Sequence, residues 1–367
     1  DLPLLNPGPA LASNNVQYAV LAVFNSTLTQ LVWGSYFGGS NHETGYSVKT
    51  DGTDLFLCGA TQSSDLPTST HSFAPSFSGD IDGYIAKFNG ANGQLLGSTY
   101  IGTPAYDQAF FIEVDKFGSV LVVGHSKGNI SVTSGKYSNP GSQQFLQKYS
   151  SNLSSMVWST VIGSGQSKID IVPSAFMVDA CLNIYISGWG GGSNTNDPNH
   201  NGGSTTGLPV TNDAIKSSTD GSDFYFMVLD RDATGLLFGS FYGGTAEEHV
   251  DGGTSRFSPD GTIYQAVCAA CGSLKTFPTT PGVYGPTKPT NTNCNMGSIK
   301  ISLEQTVKAL PAIDITLDVD TVCDKLFVKF TNNSKHANNY YWDFGNGLTS
   351  SQFEPSTVYN GLGVYTI

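Results

Sequence analysis

The sequence predicts an all-β protein in which β-propeller blades precede an immunoglobulin-like β-sandwich. Three observations lead there. An apolar strand recurs at 18–25, 83–89, 144–150, 223–230 and 297–303. Gly38, Gly102, Gly163 and Gly243 close a second strand, at intervals of about 60–80 residues that suit a repeating blade. Past Gln305 the repeat stops and a different β pattern takes over. With 367 residues, 39% hydrophobic side chains and 43 glycines, the chain is long enough to bury a sizeable core and rich enough in turn formers for short strands.

Within each repeat the order of elements follows from local chemistry. The recurring strand ("GYIAKFN", 83–89) gives way to a polar turn and the Gly-terminated strand ("LLGSTYIGT", 95–103). A third strand runs into a tight turn, as in "KTDGTDL", "EVDKFGSV", "MVDACLNI" and "FSPDGTI", and a fourth follows, as in "LFLCGA", "LVVGH", "IYISGWG" and "IYQAVCA". Asp, Asn and Gly tolerate the positive φ that hairpin turns require, so each unit reads as four short antiparallel strands. One four-stranded sheet cannot bury both of its faces, and radial stacking of blades solves that problem. A β-sandwich or an open β-solenoid is the competing arrangement. Four full repeats are visible. "DLPLLNPGPALASNNVQYAVLAVFN" at the start matches "DLPTSTHSFAPSFSGDIDGYIAKFN" from Asp65, so the chain is expected to begin inside a repeat, with further blades upstream.

Charge narrows the class of partner. There are 17 Lys+Arg against 29 Asp+Glu, a net charge of -12, and no basic cluster. Nucleic acid and anionic membrane surfaces are therefore disfavoured, because both need a concentrated positive field. No apolar run is long enough for a membrane-spanning helix. Only 13% of residues are charged, a balance more typical of extracellular β-proteins than of cytosolic enzymes.

The elements "GYIAKFN", "STYIGT", "VDKFGSVLVVG", "SSDLPTST" and "KTFPTTPGVYG" resemble the bacterial seven-bladed propeller repeat known as the SBBP repeat, over about residues 1–304. Residues 305–311 read as a linker. "YYWDFGNG" followed by "EPSTVYNGLGVYTI" is similar to the PKD signature over 312–367, with Asn346 where that family usually has Asp, and with the last strand cut short at Ile367. The longer blocks "DACLNIYISGWGGGSNTNDPNHNGGSTTGLPVTNDAI" and "EEHVDGGTSRFSPDGTIYQAVCAACG" resemble segments of large surface proteins of Bacteroidota, which commonly carry PKD modules and a C-terminal sorting domain of the type 9 secretion pathway. The resemblance implies export to the exterior or outer surface of a Gram-negative cell. It implies no reaction.

Few residues offer chemistry. Glu247, His249 and Asp251 alternate, which would set them on one strand face as a polar cluster suited to a metal or to acid/base work; polar ties between blades explain the same pattern. Asp197, Asn199 and Asn201 supply oxygen ligands at alternate positions in a loop, a candidate calcium site, although the downstream bidentate Glu of calcium loops is missing. No serine-hydrolase elbow, zincin helix, phosphate loop or dinucleotide fingerprint occurs. Trp33 and Trp158 hold equivalent repeat positions and read as blade packing, whereas Trp189 in "GWGGGS" is the candidate exposed aromatic.

Of the six cysteines, Cys58 reads as a buried apolar residue in "LFLCG". "CAAC" at 268–271 has the look of a redox or zinc half-site, yet no second pair has zinc spacing. In an exported protein the simpler use is a disulfide, and Cys271 with Cys294 is the expected pair.

The expectation is a non-catalytic surface scaffold, adhesin-like, that binds a protein or glycan and is linked to secretion or gliding motility. An extracellular glycosidase or lyase, or an accessory module of one, is the alternative; it needs two carboxylates about 5–9.5 Å apart.

Overall fold

The computed structural model describes residues 16–69, 71–191, 203–250, 256–258, 261–272, 277–288, 293–302, 311–314, 325–334, 339–360 and 364–367. The chain is almost wholly strand, and it divides into two compact units, Asp1–Ile301 and Ser302–Ile367. Asp197, Asn199, Asn201 and Asp251 lie outside the described residues. No helix among the described residues is long and apolar enough to cross a membrane.

In the first unit, β1 (Ala19–Phe24) pairs with β2 (Leu31–Phe37). Three complete four-stranded antiparallel sheets follow. The first is β3 (Glu43–Thr50), β4 (Asp54–Thr61), β5 (Asp82–Asn89) and β6 (Leu95–Ile101). The second is β7 (Asp107–Val114), β8 (Val120–Ser126), β9 (Gln144–Tyr149) and β10 (Met156–Ile162). The third is β11 (Val172–Val178), β12 (Ile184–Trp189), β13 (Phe224–Leu229) and β14 (Leu236–Tyr242). In the last sheet, β15 (Glu247–His249) and β16 (Arg256–Phe257) share one side of β17 (Ile263–Cys271), and β18 (Asn295–Ile301) takes the other.

These sheets are propeller-like blades, and they are out of phase with the sequence repeat. Each blade joins the last two strands of one repeat to the first two of the next, so β3 and β4 share a sheet with β5 and β6. The leading strands β3, β7, β11 and β16 lie beside one another in turn. Apolar side chains between sheets form the core: Phe56, Ile85, Val122 and Phe145 in one cluster, Leu146, Trp158, Ile186 and Tyr225 in the next. A side-chain period of two explains why such short strands bury so much, since alternate residues reach a neighbouring blade on each face.

Two bulges recur, and each has a role. The pair formed by each recurring strand and its Gly-terminated partner slips near the hairpin end: at Val23/Phe24, Lys87/Phe88, Met156/Trp158 and Val228/Leu229. The leading strands β3, β7 and β11 slip again at Gly45/Ser47, Ala109/Phe111 and Pro173/Ala175. A bulge inserts an unpaired residue and re-aims its side chain. The residues so released in the first two blades are Tyr46 and Phe110, and their rings stack at 5.2 Å.

The second unit holds a three-stranded sheet of β19 (Pro311–Asp314), β20 (Lys325–Asn332) and β23 (Ser356–Asn360), and a hairpin of β21 (Trp342–Asp343) and β22 (Thr349–Ser350). Trp342 and Phe344 are buried and Asp343 between them is exposed, with Val328, Phe330 and Tyr359 completing the core. The Trp342 indole N–H donates to the Gln352 carbonyl at 3.0 Å, and the Tyr359 hydroxyl to that of Phe344 at 2.9 Å.

Candidate functional site

Every blade begins with a buried carboxylate five to seven residues after the glycine that ends the preceding strand. Glu43 accepts from the Gly39 N–H at 3.1 Å, Asp107 from Thr103 at 2.6 Å, Asp170 from Ser164 at 2.7 Å, and Glu248 from Gly244 at 3.3 Å. All four are almost fully buried. Burial raises each carboxyl above its ordinary range, because the charged form loses hydration, and Glu248 is pushed up to about 8 by burial and then by nearby Asp223. At the start of each blade's third strand stand Asp82, Gln144 and Asp223. Gln144 Oε1 accepts from the Asp170 and Ile171 N–H groups of the next blade, and the Lys216 ammonium holds Asp223 at 2.6 Å. Polar groups thus tie the ends of successive blades together.

Sequence reasoning set Glu247, His249 and Asp251 on one face and counted Glu248 only among the carboxylates open to a glycosidase. Glu247 and His249 are half-buried on β15, while Glu248 between them is the fully buried side chain. The signal was present as a glycine followed by an acid at Gly38/Glu43, Gly102/Asp107, Gly163/Asp170 and Gly243/Glu248. The acid alternates between Glu and Asp and sits seven rather than five residues on in the Gly163/Asp170 pair, which hid it.

A second locus lies where the leading strands converge. Residues 46–49 of β3, 111–113 of β7, 174–178 of β11 with Asp179 and Ala180, and Arg256 and Phe257 of β16 enclose an open cavity of about 520 Å³. Lys49 reaches Glu113 across it at 2.7 Å, and burial raises the Glu113 carboxyl despite that ammonium. Tyr46 is 40% exposed there, and its hydroxyl accepts from Gln108 Nε2 at 3.1 Å. Asp179 is committed to its own turn, accepting from the Cys181 and Asn183 N–H groups.

At the third locus Cys271, which ends β17, is joined to Cys294 in a disulfide. His249 Nδ1 lies 3.5 Å from Cys271 Sγ, and its ring meets that of Trp189 at 5.7 Å. Trp189 is 2% exposed, so the expectation of an exposed aromatic is corrected: it ends the buried strand β12, and its indole packs into the blade boundary beside His249. Trp33 and Trp158 are buried as blade packing requires, with their indole N–H groups on the Gly90 carbonyl at 2.8 Å and the Asp232 carboxylate at 3.2 Å. Cys58 is fully buried in the core.

No family model matches the chain, and no curated protein matches it. Among solved structures, a europium-containing methanol dehydrogenase aligns at a TM-score of 0.28 and 11% identity, over 73% of this chain and 60% of that one. Pyrococcus horikoshii acylaminoacyl peptidase aligns at 0.31 and 6% identity, over 88% of this chain and 46% of that one. The chain therefore spans less than two thirds of either structure's length, and likenesses this distant carry no functional argument.

Proposed function

We propose that the chain is a non-catalytic binding scaffold displayed outside the cell, with SBBP-like propeller blades that carry the ligand-binding face and a PKD-like module as spacer. One observation carries this reading. The buried carboxylates Glu43, Asp107, Asp170 and Glu248 recur blade after blade on the same backbone partners, which is how a frame is built. A catalytic acid would stand alone in one blade. The cavity along the leading strands combines exposed Tyr46 with Lys49 and Arg256, side chains suited to stacking on and hydrogen bonding with a protein or glycan. Export by the type 9 pathway, attachment at a Gram-negative surface, and a part in adhesion or gliding belong to the same proposal and rest on the sequence resemblance.

The test compares ligand binding with turnover. The purified chain is screened on a glycan array and against polysaccharides for released reducing or unsaturated ends. Binding that is lost in Tyr46→Ala, with no cleavage by the wild type, supports the scaffold. Cleavage abolished by Glu113→Gln or Glu247→Gln would replace it with a carbohydrate-active enzyme.

A further inference from the structure

Sequence spacing left "CAAC" without a second zinc-binding pair. The fold supplies other partners from distant positions. His249 comes from β15, Cys271 from the end of β17 and Cys294 from the residue before β18, and their ligand atoms all lie within 4.8 Å of one another. Strand pairing sets this geometry: Glu247 is opposite Cys271 and His249 opposite Cys268, so three residues of β15 span four of β17 and the ladder slips between them. Ala270 sits in that slip with φ +49°. Lys288 holds the turn from outside, its ammonium on the carbonyls of Ala270 and Gly272 either side of Cys271. All three ligand residues are half-buried, within reach of solvent.

We propose that His249, Cys271 and Cys294 form a redox-gated site for one zinc-class divalent cation, closed by the disulfide and opened by its reduction. Two sulfurs and an imidazole suit a borderline-soft ion rather than calcium or magnesium, which take oxygen ligands. In the opening step an external dithiol transfers two electrons and two protons to the Cys271–Cys294 bond; the S–S bond breaks, two thiols form, and the donor becomes a disulfide. In the binding step both thiols release their protons to solvent, and neutral His249 contributes Nδ1, the nitrogen that already faces Cys271. A water completes the tetrahedron. This inference is independent of the scaffold reading, since a structural zinc and a frame disulfide serve either function.

The test uses the full chain. Non-reducing peptide mapping first establishes the Cys271–Cys294 link. The protein is then reduced anaerobically with a phosphine, which gives its two electrons to the disulfide and takes its oxide oxygen from water as two thiols form, and after removal of excess reductant it is titrated with Co2+ and then Zn2+. The expected result is one Co2+ per chain with a thiolate-to-cobalt charge-transfer band of two-sulfur intensity, displaced by one Zn2+, and no band before reduction. His249→Ala should weaken Zn2+ at least ~10-fold, while Cys268→Ser keeps one-to-one binding at full intensity. A circular dichroism spectrum unchanged in each variant shows that the fold survives; Cys294→Ser, which loses the band, serves where His249→Ala does not fold. Absence of the band after reduction, equal Zn2+ affinity in His249→Ala, or equal binding by the oxidised protein would overturn the proposal.

Discussion

Asp107 accepts a 2.6 Å hydrogen bond from the backbone N–H of Thr103 and a second, of 2.8 Å, from the Thr103 hydroxyl. The pair closes the corner where the chain leaves one blade and starts the next, and a buried N–H without it would carry its full desolvation cost. Asp107→Ala should therefore lower stability by about 2–3 kcal/mol. Asp107→Asn keeps an acceptor and should cost less than about 1 kcal/mol. Urea unfolding at constant slope reads both; an Ala variant as stable as wild type would remove the carboxylate from the frame.

Gly102 precedes that corner and leaves no room for a side chain. A Cβ there would meet Asp82 Oδ1 at 2.6 Å. Gly102→Ala is expected to cost about 1–3 kcal/mol through overpacking. If the clash with Asp82 is the cause, Asp82→Ala should relieve it, and the double-mutant cycle should return a coupling of about 1 kcal/mol or more. Additive losses would place the strain elsewhere.

The strands, their order and the second unit's Trp342–Asp343–Phe344 alternation were legible because hairpin turns and period-two patterning are local signals. The phase of the blades was not. A repeat read from its most clearly recurring strands, "GYIAKFN" and "STYIGT", begins in the middle of a sheet, and pairing of β4 with β5 shows where the blade starts. The sequence placed His249 in a polar cluster and Cys294 in a disulfide, but their meeting at one site escaped for a related reason. Motif spacing detects ligands along one strand, whereas these are brought together across β15, β17 and the start of β18. Trp189 misled because glycines around it suggest a loop, while in the fold they allow close approach of backbone at a blade end.

Asp82 should set a pH dependence of stability. Burial, then repulsion from Asp107, pushes its carboxyl from the ordinary 3.8 up to about 6. The folded state holds that proton more tightly than the unfolded state. Stability contributed this way is complete below the unfolded value and is lost as pH rises from about 4 to 6. Glu43, Asp107 and Asp170 shift in the same direction. Urea midpoints should fall between pH 4 and 6 in the wild type and fall less in Asp82→Asn. Parallel profiles would show that Asp82 titrates alike in both states.

The Trp158 indole shares the Asp232 carboxylate with Lys148, which lies 3.1 Å from Asp232 and 3.0 Å from Asp115. Three elements meet there: β9 supplies the lysine, β10 the tryptophan, and the turn after β13 the aspartate. Trp158→Phe keeps most of the apolar contact and gives up one hydrogen bond to a charged acceptor, so about 1.5–3 kcal/mol is expected. Trp158→Ala also leaves a cavity between blades and should cost about 3–5 kcal/mol. Because Lys148 still neutralises Asp232, Lys148→Met should be worse in the Trp158→Phe background than alone, with a measurable coupling in thermal unfolding. Independent losses would mean that the carboxylate is held by the turn rather than by its two donors.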